Sequence, residues 1–168
     1  MKKIGKGSYS IIFKLIINKK LEVGTLKTTF LSRGFYVYNG SAYGSGGLMS
    51  RIKHHVEKKK RRHWHMDYVT SSSKCKILKI IVCKKRNIER RISLEMLEEK
   101  DSFIGIPKFG ATDDKVSKTH LFLIRANSEE EALKKVKKAY KEIGVKKIYT
   151  YLPSFFAIYT NRSANLLL

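Results

Sequence analysis

Acidic residues are the conspicuous shortage in this sequence: 14 Asp and Glu stand against 36 Lys and Arg, a formal net charge of +22. A surface enriched in lysine for solubility or heat stability would normally gain Glu alongside it, and that matching increase is missing. With 42% hydrophobic residues the chain has the material for a packed core, so disorder does not explain the charge. A folded protein that meets a polyanion is the expectation. Cysteine is also scarce. Cys75 and Cys83 flank an apolar run without CxxC spacing, which suggests neither a disulfide framework nor a zinc knuckle and leaves two buried or half-buried free thiols. No apolar run approaches the ~20 residues of a membrane helix. Lys14 interrupts residues 11–17, and Asn18, Lys19 and Lys20 follow in place of a small-residue cleavage site, so no secretion signal is evident. A cytoplasmic protein without a membrane partner is expected. Internal repeats and low-complexity linkers are missing as well, and 168 residues suit one core with a small appendage.

What the chain does contain is organised around residues 34–55, GFYVYNGSAYGSGGLMSRIKHH. An aromatic strand enters a glycine-rich turn that opens a helix. Alternation along a strand, close approach at glycine and the fourfold repeat of a helix face can bring Tyr38, Gly40, Ser41, Arg51 and His55 to one spot. Such a spot would suit a phosphate. Before it, residues 7–17 read as a strand, residues 21–30 as a weaker return strand broken at Gly24, and residues 35–38 as a third. These predict a three-stranded antiparallel beginning to an α+β chain.

Residues 48–60 carry helix periodicity, with Arg51 and His55 bordering the apolar stripe of Leu48, Ile52 and Val56. A helix that merely solvated its charges would place them opposite that stripe. Lys58, Lys59, Lys60, Arg61 and Arg62 form a cationic run beside Trp64. That run is either a solvated helix end or a patch that tracks a nucleic-acid backbone, with Trp64 as stacking platform; the net charge favours the second. His63 and His65 alternate as strand neighbours do, and no cysteine or HExxH pattern supports a histidine metal site.

Residues 75–83, CKILKIIVC, read as a central strand because their apolar residues are nearly continuous. Asn87 is placed to cap a helix over 88–99, on which Glu89 and Glu95 are either acids favoured by the helix dipole or metal ligands. A glycine- and proline-framed loop then leads to a strand over 120–124. In the tail, Ser128 and Glu131 form a capping-box pattern and Gly144 ends the helix. Strands are predicted over 145–151 and 155–159. The division expected is residues 1–125 as the main domain and 126–168 as a helix-strand-strand extension packed on it.

Four segments in order, Tyr38-Asn39-Gly40-Ser41-Ala42, residues 51–55, Trp64-His65-Met66-Asp67-Tyr68 and residues 109–122, resemble the GIY-YIG nuclease superfamily. More narrowly they are similar to an uncharacterised branch of it. The likeness spans residues 7–124. It implies a small α/β (α+β) domain with a three-stranded antiparallel central sheet flanked by helices, catalytic roles for Tyr9, Tyr38, Arg51 and His55, a metal ligand in Glu89 rather than Glu95, and hydrolysis of a phosphodiester at one magnesium or manganese ion. The superfamily's late asparagine is missing, with Thr112 or Asp113 as substitutes, and Asn39 stands where an apolar residue is usual. The implied activity is a divalent-metal-dependent endonuclease acting on DNA in preference to RNA, with a role in DNA repair. The alternative is a non-catalytic DNA- or RNA-binding module. A third reading has the tail helix docking a repair or RNA-processing protein.

Overall fold

Strand β1 (Gly7–Leu15) divides its side chains between two cores. Tyr9, Ile11, Phe13 and Leu15 enter one core, while Ile12 enters the other. That two-sided burial places β1 inside a sheet. The computed structural model, which describes residues 4–164, pairs β1 with β4 (Gly34–Ala42) on one side and β5 (Cys75–Cys83) on the other, both antiparallel. Beyond β4 lie β7 (Leu121–Ile124) and then β6 (Ser102–Ile104), and beyond β5 lies β8 (Tyr149–Tyr151). The result is a six-stranded antiparallel sheet in the order β6-β7-β4-β1-β5-β8.

This corrects the expected three-stranded sheet. The predicted return strand does not pair with β1. It turns back on itself, as β2 (Lys19–Glu22), a 3-10 turn at Gly24–Leu26 and β3 (Thr28–Leu31), a separate two-stranded ribbon. Gly24 adopts φ +43°, a conformation that ends a strand. The next strand, β4, then takes the place beside β1, and its register runs from Gly7↔Ala42 to Leu15↔Gly34.

Among the described residues five α-helices cover the sheet. On the Tyr9 face lie α1 (Gly47–Val56), α2 (His65–Thr70) and α5 (Pro153–Ala164), contributing Leu48, Ile52, Met66, Val69 and Phe156, with Leu21, Val23 and Leu31 from the ribbon. On the Ile12 face, α3 (Ile88–Glu98) and α4 (Glu129–Glu142) supply Ile88, Ile92, Met96, Val136 and Tyr140. Asn39 points to this second face. Its amide accepts from Ser10 Oγ at 2.7 Å and donates to Ser93 Oγ at 3.1 Å, and Tyr140 Oη lies 2.8 Å from Ser10 Oγ. This network supplies partners to four buried polar side chains and ties both helices to the sheet.

Several local expectations need revision. Helix α1 stops at Val56, because Glu57 is extended (ψ 131°), so residues 58–62 are not a helix end. His63 and Trp64 precede α2, and His65 begins it, so no strand alternation operates there. Asn87 makes no side-chain cap and sits at φ 55°. The predicted strand over 155–159 lies within α5, where Pro153 occupies the first helical position that its fixed φ favours. Both cysteines are free and buried, and among the described residues no helix is long and apolar enough to cross a membrane.

Candidate active site

Pairing between β4 and β7 ends at Tyr38↔Leu121, with one further bond from Asn39 N to His120 O at 2.9 Å. Past that point β4 continues along β1 alone, and alternation turns the Ser41 N–H towards the edge β7 has left. A cavity of about 290 Å³ opens in the gap. Tyr38, Gly40 and Ser41 line it from β4, Arg51 from α1, Trp64 and His65 from the start of α2, and Glu89 from α3. The loop before β7 adds Thr112, Asp113 and His120. Asp114 ties that loop to α3 through Arg90 Nε at 3.0 Å.

Behind this wall runs a buried relay. Tyr9 Oη lies 2.9 Å from His55 Nε2, and His55 Nδ1 lies 3.0 Å from Asp67 Oδ1; all three residues are fully buried. Burial pushes His55 down to about 4 despite the pull of Asp67, so the ring is neutral at pH 7. Burial alone would raise Asp67. Hydrogen bonds from His55 and from the backbone N–H groups of Trp64 and His63 overcome it and hold the carboxyl below the usual range. An ionised carboxylate only accepts, so Nδ1 must carry the proton and Nε2 must accept from Tyr9. The relay is therefore directed from Tyr9 through His55 to Asp67, in the sense of the serine-protease triad.

The two tyrosines are not equivalent. Tyr9 is sealed, whereas Tyr38 retains 7% exposure on the cavity and makes no hydrogen bond through its hydroxyl among the described residues. Burial pushes Tyr38 up to about 12, with Arg51 pulling the other way, and raises Tyr9 well above its ordinary value. Glycines make room for both. A Cβ on Gly40 would stand 2.5 Å from Tyr9 Oη, and one on Gly110, already at φ +72°, would stand 2.8 Å from the Tyr38 ring.

Arg51 is held by stacking, its guanidinium carbon 3.9 Å from the centre of the Trp64 ring, and has no carboxylate partner among the described residues. Trp64 is thus a support for Arg51. Glu89 is held from β1: Ser8 Oγ donates to Glu89 Oε2 at 2.8 Å and accepts from Ile88 N at 3.3 Å. Ser8 thereby takes the capping role expected of Asn87. Among the described residues Glu89 has no cation partner. Glu95 is not part of the lining.

The cationic run separates into two groups. Lys58 Nζ donates to the carbonyls of Thr70, Ser72 and Cys75. Lys60, its side chain 2% exposed, donates to the carbonyls of His54 and His55 and lies 3.6 Å from Asp67. Burial lowers Lys60 to about 8, against the pull of Asp67. These two lysines pin a bend; Lys60 is the half-buried member, and Lys58, Lys59, Arg61 and Arg62 are exposed. Sequence reasoning missed Asp67 and Ser8. Asp67 lies within the Trp64-His65-Met66-Asp67-Tyr68 segment and Ser8 beside Tyr9, but their partners are 12 and 81 positions away.

Among the described residues no group of three or more His, Cys, Asp or Glu side chains is placed to hold a metal. The donors present still fit magnesium or manganese, hard cations commonly held by one or two carboxylates, water and substrate oxygens. Glu89 would be the ligand and Asp113 a second carboxylate on the same lining.

Fold and cleft together define a strongly basic α+β protein on a six-stranded antiparallel sheet, with an arginine and a glutamate facing one cavity before a buried tyrosine-histidine-aspartate relay. The chain belongs to the family described as Domain of unknown function DUF123, whose family model matches residues 8–145. No curated protein and no solved structure matches it. The family match overturns the GIY-YIG resemblance, since the family that covers most of this chain is another one. Short segments of Tyr, Gly, Arg and His specify how a few side chains meet, which is less than an assignment of superfamily requires.

Proposed function

We propose that this protein is a cytoplasmic, divalent-metal-dependent endonuclease that hydrolyses nucleic-acid phosphodiester bonds, with damaged or branched DNA as the first substrates to test and RNA second. One observation carries the reading. In a chain with few acids and a large excess of cations, Arg51 and Glu89 line the same cavity and neither has an ion-pair partner among the described residues. Each is held instead by a neutral group, Trp64 or Ser8. Opposite charges kept apart on one cavity leave room for a phosphate against Arg51 and a cation against Glu89.

The chain's own residues then have separable tasks. Arg51 neutralises charge on the non-bridging oxygens as it develops. A magnesium or manganese ion at Glu89 would supply Lewis acidity and a more acidic bound water. Tyr38 reaches the cavity and orients the attacking water; with its hydroxyl pushed up to about 12 it needs a neighbouring positive charge to serve as a base. Tyr9, His55 and Asp67 fix the wall behind it and offer a proton path. Exposed Lys59, Arg61 and Arg62 contact the backbone of the bound strand.

The test is cleavage of single-stranded, duplex, flap and junction DNA, and of RNA, with Mg²⁺ or Mn²⁺. The expected result is metal-dependent cutting that falls at least a hundredfold in Glu89→Ala and Arg51→Ala. Binding without cutting in every case would sink the proposal. It would favour the second reading, a binding module; Glu89→Ala would then leave binding unchanged.

A further inference from the structure

At the other end of the β1-β4 pair lies a larger cavity, of about 590 Å³. Its lining includes Lys14, Arg33 and Arg125, with Phe103 on the edge strand β6 and an apolar floor that includes Leu15 and Phe35. Among the described residues no carboxylate lines it. Lys14 and Arg33 have no ion pair among the described residues. Among the described residues the one ion pair of the Arg125 side chain is a long contact with Asp101 at 3.9 Å, and Asp101 bonds Lys135 more closely at 2.8 Å. Lys14 Nζ stands 4.9 Å from the centre of the Phe35 ring, and the Arg125 guanidinium 5.2 Å from that of Phe103. Phe103 is 41% exposed, and Ile16, also on the lining, is 51% exposed.

Three little-paired cations around an exposed aromatic ring meet the two needs of a single-stranded nucleic acid: charge for the phosphates and a flat apolar face for a base. We infer that this groove binds a segment of single strand, with phosphates against Lys14, Arg33 and Arg125 and a base on Phe103. Duplex DNA would supply the phosphates but keeps its bases stacked internally, so Phe103 selects for the unpaired strand. Along β4 the groove at Gly34 is six residues, about 20 Å, from the cleft at Gly40. One nucleic acid with a duplex and an unpaired tail could therefore engage both places. Binding in the groove is independent of the hydrolytic reading, since no residue of the cleft takes part.

The experiment is fluorescence anisotropy of the full chain in EDTA with fluorescein-labelled dT12, a duplex of equal length and dTMP as competitor. Arg33→Glu with Arg125→Glu is expected to weaken dT12 binding at least tenfold and to reduce the salt slope by about 1.4. Phe103→Ala should weaken dT12 about fivefold or more and the duplex far less. Lys134→Glu with Lys137→Glu, an equal charge reversal on the exposed side of α4, should cost less than threefold. The inference is overturned if the α4 pair weakens dT12 as much as the groove pair, if Phe103→Ala affects strand and duplex alike, or if dTMP binds as tightly as dT12. Thermal melts of each variant separate lost binding from lost folding. EDTA prevents cutting, so a protein that never cleaves can still pass, and a nuclease can still fail.

Discussion

Gly40 decides whether Tyr9 can stand where it does. A methyl group there would overlap the Tyr9 hydroxyl at 2.5 Å, and a buried ring with His55 behind it has little freedom to retreat. Gly40→Ala is expected to cost about 1–3 kcal/mol of stability, read by urea unfolding, and to displace Tyr9 from His55. His55 makes a second expectation at this scale. Its folded value of about 4 lies below the ordinary 6.5, so between those limits the unfolded chain binds the extra proton and stability falls as pH falls. The loss should be complete near pH 4, absent above pH 6.5, and at most about 3 kcal/mol. Unfolding midpoints from pH 7 to pH 4 check it, and His55→Gln should flatten the slope. Glu89 was set above Glu95 by the resemblance alone; Tyr38, Gly40, Ser41 and Arg51 were legible because strand alternation, glycine and helix spacing act locally. Asp67 and Ser8 were not, because a carboxylate's partners depend on how distant segments meet.

Helix α3 takes its start from another element. Ser8 on β1 receives the Ile88 N–H and holds Glu89, so one hydroxyl both caps the helix and aims the proposed metal ligand. Ser8→Ala should cost about 1–2 kcal/mol in an unfolding titration and weaken Mn²⁺ binding roughly tenfold by calorimetry, while the sheet stays intact. The contrast with α4 explains which elements could be read from the chain alone. In α4 the Ser128 hydroxyl accepts from Glu131 N at 3.1 Å, and Gly144 at φ +75° closes the helix, all within a few residues. In the β2-β3 ribbon and α5 the local signals, Gly24 and Pro153, mark a boundary without specifying the element that follows. An aromatic run after Pro153 suits either a strand or a helix until Phe156 finds its place beneath the sheet.

Across the whole molecule the surplus charge is partly internal. The Lys60 side chain is only 2% exposed, and the exposed Lys58 is tied to three backbone carbonyls, so a count of cations overstates those free to meet a polyanion. The sheet order carries a consequence for how the protein comes into being. The first strand of the chain sits between two partners, and β5 gains its outer neighbour only when residues 149–151 arrive. Until then Ile80, Ile81 and Val82 present an unpaired, strongly apolar edge, the kind that recruits other chains. A chain ended at residue 144 should therefore aggregate, seen as rising light scattering at micromolar concentration, even though β1, β4, β5 and β7 are all present. During synthesis the same edge stays open while some 65 further residues are added, a few seconds at ~5–20 residues per second. The last strand among the described residues is short, but it closes the apolar edge on which a second unfinished chain would otherwise pair.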